Sequence, residues 1–250
     1  MSEKLPEFFW TVHSGLPREG PGDNKSTRIA YGMLKDLPKN PRILDVGCGP
    51  GMQTVELAKL SGGHIVALDS HEPFLEQLEE AIKKAGVEDR VKAVNGDMRN
   101  LEFEDGSFDV IWSEGSIFII GFEKGLREWR RLLTPDGYVV VSELSWLKPD
   151  APREANDYMM QMYPVIKTIE ENIAIIQKSG YRLVGSFVLP SKSWWDNYYT
   201  PIETKLPSLK AKYKGDEEAL QVIASEEKEI EMFRKYSDYY GYAFYVMQVN

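Results

Sequence analysis

One short segment, an apolar run followed by a glycine-rich turn, constrains the fold of this chain most strongly. Residues 43–46 (ILDV) have the composition of a buried β-strand, and Gly47, Gly49 and Gly51 follow at alternate positions. Residues 52–58 (MQTVELA) are typical of the start of a helix. Glycine has no Cβ and tolerates positive φ, so its backbone can approach a small ligand closely. The order strand, turn, helix predicts a ligand at the carboxyl edge of an α/β sheet.

Strand-like and helix-like segments alternate from residue 42 onward. Alternation of this kind predicts βαβ units and a parallel sheet with both faces covered. The predicted strands are Arg42–Val46, His64–Leu68, Val91–Val94, Phe108–Trp112, Tyr138–Ser142, Arg182–Val188 and Tyr242–Gln248. The predicted helices are Ser26–Lys35 (capped by Asn24 or Ser26), Met52–Leu60, Glu72–Ala85, Glu123–Leu133 and Thr168–Ser179. We expect Gly86 to end the third of these helices, and residues 135–137 to form a turn.

Three segments fall outside this alternation: residues 1–36, 149–164 and 190–240. Insertions as long as the last are uncommon between strands unless they serve a function. If the strand after residue 181 runs parallel to the others, both late insertions leave the sheet at its carboxyl edge. They are therefore predicted to cap the ligand site.

Three kinds of ligand commonly bind at a strand, glycine turn and helix start: a nucleoside phosphate, a dinucleotide and S-adenosylmethionine. The phosphate-binding loop Gly-x4-Gly-Lys-Ser/Thr is not present. The dinucleotide fingerprint is Gly-x-Gly-x-x-Gly, whereas Gly47, Gly49 and Gly51 are spaced one residue more tightly. Asp69 ends the second predicted strand, about twenty residues after the turn, where a carboxylate can hold ribose hydroxyls. Asp97 and Met98 follow the third strand, where they could bind adenine.

With these motifs, residues 40–145 resemble the class I S-adenosylmethionine-dependent methyltransferases. The chain looks closest to the small-molecule group that includes the ubiquinone/menaquinone-type enzymes. The late insertion and residues 112–115 and 238–242 also resemble a bacterial and archaeal subset with uncharacterised acceptors. The resemblance implies one methyltransferase domain over residues 1–250, whose first 36 residues lie over the site. Its α/β fold would be a Rossmann-like, doubly wound, seven-stranded and mostly parallel sheet with an antiparallel last strand, plus helical and aromatic cap insertions.

The resemblance also implies a cofactor, S-adenosyl-L-methionine, which would be released as S-adenosyl-L-homocysteine. It assigns the cofactor-binding residues as Asp45, Gly47, Gly49, Gly51, Asp69, Ser70, Asp97, Met98 and Ser113. Relatives often carry an apolar residue where this chain has Ser70, so we expect Met98 to cover the adenine ring. Two alternatives stay open: a non-catalytic binder of this cofactor or its product, and a nicotinamide-dependent dehydrogenase, which the glycine spacing disfavours.

The amino-acid composition limits which binding partners and which cellular compartment are expected for this chain. The net charge is −9, which disfavours nucleic acid as a partner because phosphate contacts need a basic surface. Cys48 is the only cysteine, so no internal disulfide points to an oxidising compartment. No secretory signal or bilayer-length apolar run is recognisable. The sequence therefore predicts a cytoplasmic enzyme, without membrane insertion, that acts on a small-molecule acceptor. No feature indicates an oligomeric state.

No catalytic residue is assigned from the sequence. A base is needed only if the acceptor must lose a proton, and the candidates are His13, Glu114, Glu143 and Tyr163. The three histidines lack a metal-ligand spacing, so no metal site is predicted. Residues 194–199 (WWDNYY) could form the core of the insertion or an acceptor pocket. The glutamates of residues 226–231 are expected on a solvated helix face, and Cys48 is expected to be buried rather than reactive.

Overall fold

A computed structural model describes residues 7–250 as one eight-stranded sheet flanked by helices. The strands are β1 (Arg42–Val46), β2 (His64–Asp69), β3 (Val91–Asn95), β4 (Phe108–Glu114), β5 (Leu133–Trp146), β6 (Lys167–Thr168), β7 (Tyr181–Val188) and β8 (Tyr240–Val249). The helices are α1 (Glu7–His13), α2 (Asn24–Tyr31), α3 (Met52–Ser61), α4 (Glu72–Ala85), α5 (Phe122–Trp129), α6 (Arg153–Met162), α7 (Ile169–Lys178), α8 (Ser191–Trp194), α9 (Thr200–Lys212) and α10 (Glu217–Tyr236). One π turn, Trp195–Tyr199, joins α8 to α9.

The strand order is β3-β2-β1-β4-β5-β8-β7, and the two-residue β6 pairs with the end of β5. Strands β1 to β5 pair in parallel. Strand β8 is antiparallel to both of its neighbours, β5 and β7, so β7 runs in the same direction as β1 to β5. The predicted mostly parallel Rossmann-like sheet with an antiparallel last strand is therefore confirmed, with the very short β6 as an addition.

The sheet has an apolar core on each face. Neighbouring residues of one strand point to opposite faces, so Ile43 of β1 joins the core that contains Leu57, whereas Leu44 joins the core that contains Trp129. Ile43 and Leu44 are both fully buried. Because both faces are covered, the strands can be continuously apolar, which is why their positions could be predicted from the sequence.

Several local predictions differ from the structure, and helix α2, for one, ends at Tyr31 rather than at the predicted Lys35. Helix α2 begins at Asn24 and is capped by Asp23, whose carboxylate accepts a hydrogen bond from Ser26 N at 2.7 Å, so the predicted Asn24 or Ser26 cap was wrong. Helix α5 ends at Trp129 and a 3-10 turn follows, four residues earlier than predicted. Strand β5 starts at Leu133 and runs through the predicted turn, because Asp136 takes a positive φ of 63° and a register shift between Phe108 and Val110 absorbs three extra residues of β5.

Segments outside the sheet meet above its carboxyl edge. Helix α1 contacts both α9 and α10, which belong to the late insertion. Lys205 of α9 donates hydrogen bonds to the carbonyl oxygens of Val12 and Ser14, each at 2.6 Å. We call residues 7–21, 153–163 and 191–240 the roof. None of the helices within residues 7–250 is long and apolar enough to cross a membrane.

Candidate active site

A cavity of about 620 Å³ lies between the carboxyl ends of the strands and the roof. The ends of β1, β2, β4 and β5 form its floor, through the glycine turn, Asp69, Glu114 and Leu144. Pockets for small ligands are commonly about 300–1,000 Å³ in volume. The cavity is at the edge of the sheet that the sequence predicts, since ligands of open α/β sheets bind beyond the carboxyl ends of the strands.

Six of the nine predicted cofactor-binding residues line the cavity, and three lie behind its wall. The six are Gly47, Gly49, Asp69, Ser70, Asp97 and Met98. The other three are Asp45, Gly51 and Ser113, all of them buried. The predicted residues therefore lie in or directly behind one wall.

The glycine turn leaves no room for side chains at two positions. Gly47 has a φ of 71°, and a Cβ there would overlap Ser116 and lie 3.3 Å from Met98 Cε. Gly51 has a φ of 88°, and a Cβ there would overlap Leu78 of α4. Gly47 therefore keeps the cavity wall open to a close approach, whereas Gly51 allows α3 to pack against α4.

Asp69 is tied to the glycine turn. Its Oδ2 accepts a hydrogen bond from Gly49 N at 2.9 Å, and its Oδ1 accepts one from His71 N at 3.0 Å. A carboxylate offers about four lone-pair sites, so both oxygens can still accept a hydroxyl proton from a ligand. The backbone contacts fix the direction in which this carboxylate faces the cavity.

The wall beyond Asp69 is aromatic. The rings of Trp10 and His71 stack with their centroids 4.0 Å apart, and Phe74 packs against both rings. All three residues line the cavity with Met98, which is buried. The sequence analysis missed Trp10, His71 and Phe74, because Trp10 is brought to β2 by the roof and no local pattern marks it.

Asp45 supports the glycine turn from behind. Its Oδ2 accepts hydrogen bonds from Thr54 Oγ1 at 2.6 Å and from Gln53 Nε2 at 3.4 Å, which hold the first turn of α3. The side chain is fully buried, and burial raises the pKa of its carboxyl group to about 7. The side chain of Asp45 therefore contacts α3 and does not line the cavity.

Ser113 reaches the cavity wall through another serine. Its Oγ lies 2.6 Å from Ser116 Oγ, and Ser116 in turn donates a hydrogen bond to Val46 O at 2.7 Å. Ser116 lines the cavity beside Gly47. Sequence reasoning missed Ser116, which the tight turn after β4 carries back over the end of β1.

Glu114 and Arg18 form a buried ion pair at the floor. Glu114 accepts hydrogen bonds from Arg18 Nη2 at 2.8 Å, from Thr27 Oγ1 at 2.8 Å and from Trp112 Nε1 at 2.9 Å. Three donors, one of them a guanidinium, thus occupy its two oxygens. Such a fully engaged carboxylate is poorly suited to act as a base. Arg18 Nη1 is buried without a hydrogen-bond partner among residues 7–250.

His13 is buried between two carboxylates. Its Nδ1 lies 3.0 Å from Glu19 Oε2, and its Nε2 lies 3.2 Å from Glu226 Oε1. Burial alone would lower the pKa of His13, but the hydrogen bonds and charges of the two glutamates raise it to about 9. A histidine that is protonated at neutral pH is a poor base. Glu226 is only 5% exposed, so its predicted place on a solvated face was wrong, although Glu227 and Glu231 are exposed.

Tyrosines from residues 158–163, 198–199 and 240–242 line one part of the cavity, which we call its tyrosine-rich end. Tyr163 donates a hydrogen bond to Glu143 Oε1 at 2.5 Å, and burial raises the pKa of Glu143 to about 7. Glu143 itself lies behind Tyr163, whereas Glu229 of α10 lines the cavity and accepts a hydrogen bond from Tyr199 at 2.9 Å. Six tyrosines line the cavity: Tyr158, Tyr163, Tyr198, Tyr199, Tyr240 and Tyr242. Sequence reasoning did not single out Glu229, which it included among the solvated glutamates.

The aromatic cluster of residues 194–199 contributes to both the core and the cavity. Trp194 stacks on Phe233 at 4.1 Å and on Tyr242 at 5.2 Å between ring centroids. Trp194, Tyr198 and Tyr199 are buried and also line the cavity. The two interpretations offered by the sequence are therefore compatible.

Neither metal chemistry nor a reactive thiol is indicated by the side chains. Within residues 7–250, no three His, Cys, Asp or Glu residues are grouped so that they could hold a metal ion. The thiol of Cys48 is buried in the glycine turn, and burial, with the nearby Asp45 and Asp69, raises its pKa well above the usual value. A thiol in this environment is a weak nucleophile.

Part of this chain is similar in sequence to known methyltransferases. Residues 43–137 match the family model of a methyltransferase domain. A sterol 24-C-methyltransferase of Gibberella zeae is 29% identical over 203 residues, which are 74% of this chain and 52% of that protein. A demethylmenaquinone methyltransferase of Clavibacter sepedonicus is 36% identical over 154 residues, which are 60% of this chain and 61% of that protein. The chain spans 52% and 58% of the first two curated relatives that it matches.

Similarity to solved structures extends over the whole chain. A crystal structure of an S-adenosylmethionine-dependent methyltransferase from Geobacter sulfurreducens, in complex with S-adenosyl-L-homocysteine, has a TM-score of 0.84 and 21% identity and covers 99% of both chains. This likeness establishes the fold. The family match and the relatives agree with the predicted class, since residues 43–137 match a methyltransferase domain and both curated relatives named above are methyltransferases.

Proposed function

We propose that this protein transfers a methyl group from S-adenosyl-L-methionine to a small-molecule acceptor and releases S-adenosyl-L-homocysteine. The observation that carries the proposal is a single cavity that joins the glycine turn of a methyltransferase domain to a tyrosine-rich end under the roof. The net charge of −9 and the lone buried cysteine support a cytoplasmic enzyme without a nucleic-acid partner.

The residues at the floor fit this cofactor chemically. Asp69 can accept both hydroxyl protons of a ribose, because each of its oxygens keeps a free lone pair beside its backbone contact. Met98 and Phe74 offer apolar surface for an adenine ring, and Asp97 can accept from its amino group. Gly47 and Gly49 allow the backbone to approach the methionine part. Asp45, Gly51 and Ser113 would support this site from behind.

Bound S-adenosylmethionine supplies a methyl group on a sulfonium, a leaving group that is already activated. The chain then has to align an acceptor atom with that methyl carbon and exclude water, and such positioning contributes roughly 7–11 kcal/mol. The roof supports this task because it supplies the rest of the cavity wall. Of the four candidate bases, His13 and Glu114 are held by ion pairs, which leaves Glu143 and Tyr163, joined to each other by a hydrogen bond.

Isothermal titration with S-adenosyl-L-homocysteine tests the proposal. We expect saturable binding to the wild-type protein and binding at least tenfold weaker to Asp69→Ala, since the ribose contacts are lost. Asp89→Ala is the matched control, because Asp89 is exposed in the turn after α4 and does not line the cavity. Absence of binding to the wild-type protein, or equal affinities for wild type and Asp69→Ala, would contradict the proposal.

A further inference from the structure

The tyrosine-rich end of the cavity has an unbalanced negative charge. Among the acidic residues that line the cavity, Glu19, Glu114 and Asp97 pair with His13, Arg18 and Arg99 respectively, whereas Glu229 has no salt-bridge partner among the described residues. The cation that acts on Glu229 is His13, which already lies between Glu19 and Glu226. The described part of the chain therefore supplies more carboxylates than cations here.

Glu229 is the centre of the tyrosine wall. Tyr199 donates its hydroxyl to Glu229 Oε1 at 2.9 Å, and no described residue donates to Oε2. Burial raises the pKa of five tyrosines, and the charge of Glu229 adds to the rise in each: Tyr158, Tyr198, Tyr199, Tyr240 and Tyr242. Burial and the neighbouring Glu226 raise the pKa of Glu229 itself to about 7.

One of these tyrosines has a hydroxyl group without a partner. Tyr240 is only 3% exposed and lines the cavity, and its Oη makes no hydrogen bond with any residue from 7 to 250. Because this oxygen has almost no accessible surface, a ligand in the cavity would meet the Tyr240 ring rather than its hydroxyl group. Tyrosine rings also attract cations through their electron-rich faces.

We infer that the acceptor is an amine whose nitrogen binds beside the Glu229 carboxylate, among Tyr198, Tyr240 and Tyr242. This inference rests on the proposed function, because it names the acceptor of the same site. A carboxylate and several tyrosine faces attract an ammonium ion, and they repel a phenolate or a carboxylate ligand.

Proton transfer also favours an amine. Glu229, with a pKa of about 7, can take a proton from an alkylammonium, whose pKa is about 10. An aliphatic hydroxyl resembles water, whose pKa is about 15.7, and would hardly lose its proton to such a group.

The ammonium gives one proton to Glu229, and the nitrogen lone pair then attacks the methyl carbon. The new N–C bond forms as the C–S bond breaks, and its electron pair remains on sulfur. The positive charge thereby passes from sulfur to nitrogen, and Glu229 becomes a carboxylate again when it releases its proton to solvent.

A cation and its neutral isostere test this inference. The protein loaded with S-adenosyl-L-homocysteine is titrated with choline, which carries a trimethylammonium group like a methylated product, and with 3,3-dimethylbutan-1-ol, its uncharged carbon analogue. We expect choline to bind at least tenfold more tightly, and we expect Glu229→Gln to abolish most of that preference. Glu227→Gln is the matched control, since Glu227 is exposed on the same helix and should keep the preference.

Equal or weaker binding of choline, or an unchanged preference in Glu229→Gln, would overturn the inference. Affinity for S-adenosyl-L-homocysteine, measured first on every variant, shows that the variants are folded and tests the proposed function separately. Repeating the choline titration without S-adenosyl-L-homocysteine keeps the two results independent. In turnover assays, primary and secondary amines should be methylated, whereas alcohols of the same carbon skeleton should not; transfer to the alcohols alone would also overturn the inference.

Discussion

His13 Nε2 lies 3.2 Å from Glu226 Oε1, so a contact across 213 residues joins the first described helix to the late insertion. The same imidazole contacts Glu19, which lies beside Gly49 of the glycine turn. One protonated side chain therefore links two parts of the roof to each other and to the cavity floor.

The His13 contacts predict a pH-dependent stability. The pKa of His13 in the folded protein, about 9, lies above its ordinary value of 6.5. Its contribution is therefore fully present below pH 6.5 and is lost as the pH rises through 9, with an upper bound of about 3 kcal/mol. Urea unfolding of wild type and His13→Asn between about pH 6 and pH 10 should show a gap that closes in that window. His64→Asn, at an exposed position, is the control; parallel curves for wild type and His13→Asn would contradict the prediction.

Gly47 should be intolerant of any side chain. We expect Gly47→Ala to lower the free energy of unfolding by about 1–3 kcal/mol, because it combines positive φ with overlap at Ser116. Affinity for S-adenosyl-L-homocysteine, measured by titration, should fall as well. Gly106→Ala is the matched control, since Gly106 has a similar φ of 69° but open space around it. Equal losses of stability in the two variants would show that the positive φ alone causes the loss, and that overlap with Ser116 contributes nothing.

The Cys48 thiol should be nearly inert in the folded protein. It is 1% exposed, and its surroundings raise its pKa well above the usual value, so little reactive thiolate forms. Labelling with a chromogenic disulfide reagent should be slow in buffer and fast after unfolding in urea. Equally fast labelling in both conditions would show that the glycine turn opens readily.

Trp194 should matter to stability as well as to the cavity. It is 4% exposed and stacks on Phe233, so we expect Trp194→Ala to lower the free energy of unfolding by about 3–5 kcal/mol. Phe118→Ala is the comparison, because Phe118 also lines the cavity but is 43% exposed. Its effect should stay within about 0.5 kcal/mol. Similar values for both variants would mean that residues 194–199 are not part of the core.

The floor of the site could be predicted from the sequence because its signals are local. A buried strand, a glycine turn and an acid such as Asp69 at the next strand end lie within a few residues of one another. Strand pairing in a parallel sheet then brings those ends together without further information. The predicted bounds of β1 match the structure, and those of β2 and β3 differ by one residue.

Residues of the roof could not be assigned in this way because their partners are distant in sequence. Glu226 and Glu229 belong to a glutamate-rich run that reads as a solvated helix face. Both are instead turned toward His13 and the tyrosines by the packing of α10 against α1 and α9. No spacing rule connects residue 13 to residue 226, so the burial of Glu226 required the folded structure.

The division of the cavity between floor and roof has a consequence for the history of such proteins. Residues 43–137, which match the family model, contain the glycine turn, Asp69 and Asp97, whereas Glu229 and its tyrosines lie outside that range. The two halves of the cavity are thus encoded in separate stretches of the gene. Under the proposed function, duplicated copies can diverge in the stretches that encode the roof, and so exchange one acceptor for another, while the stretch that would bind the methyl donor is inherited unchanged.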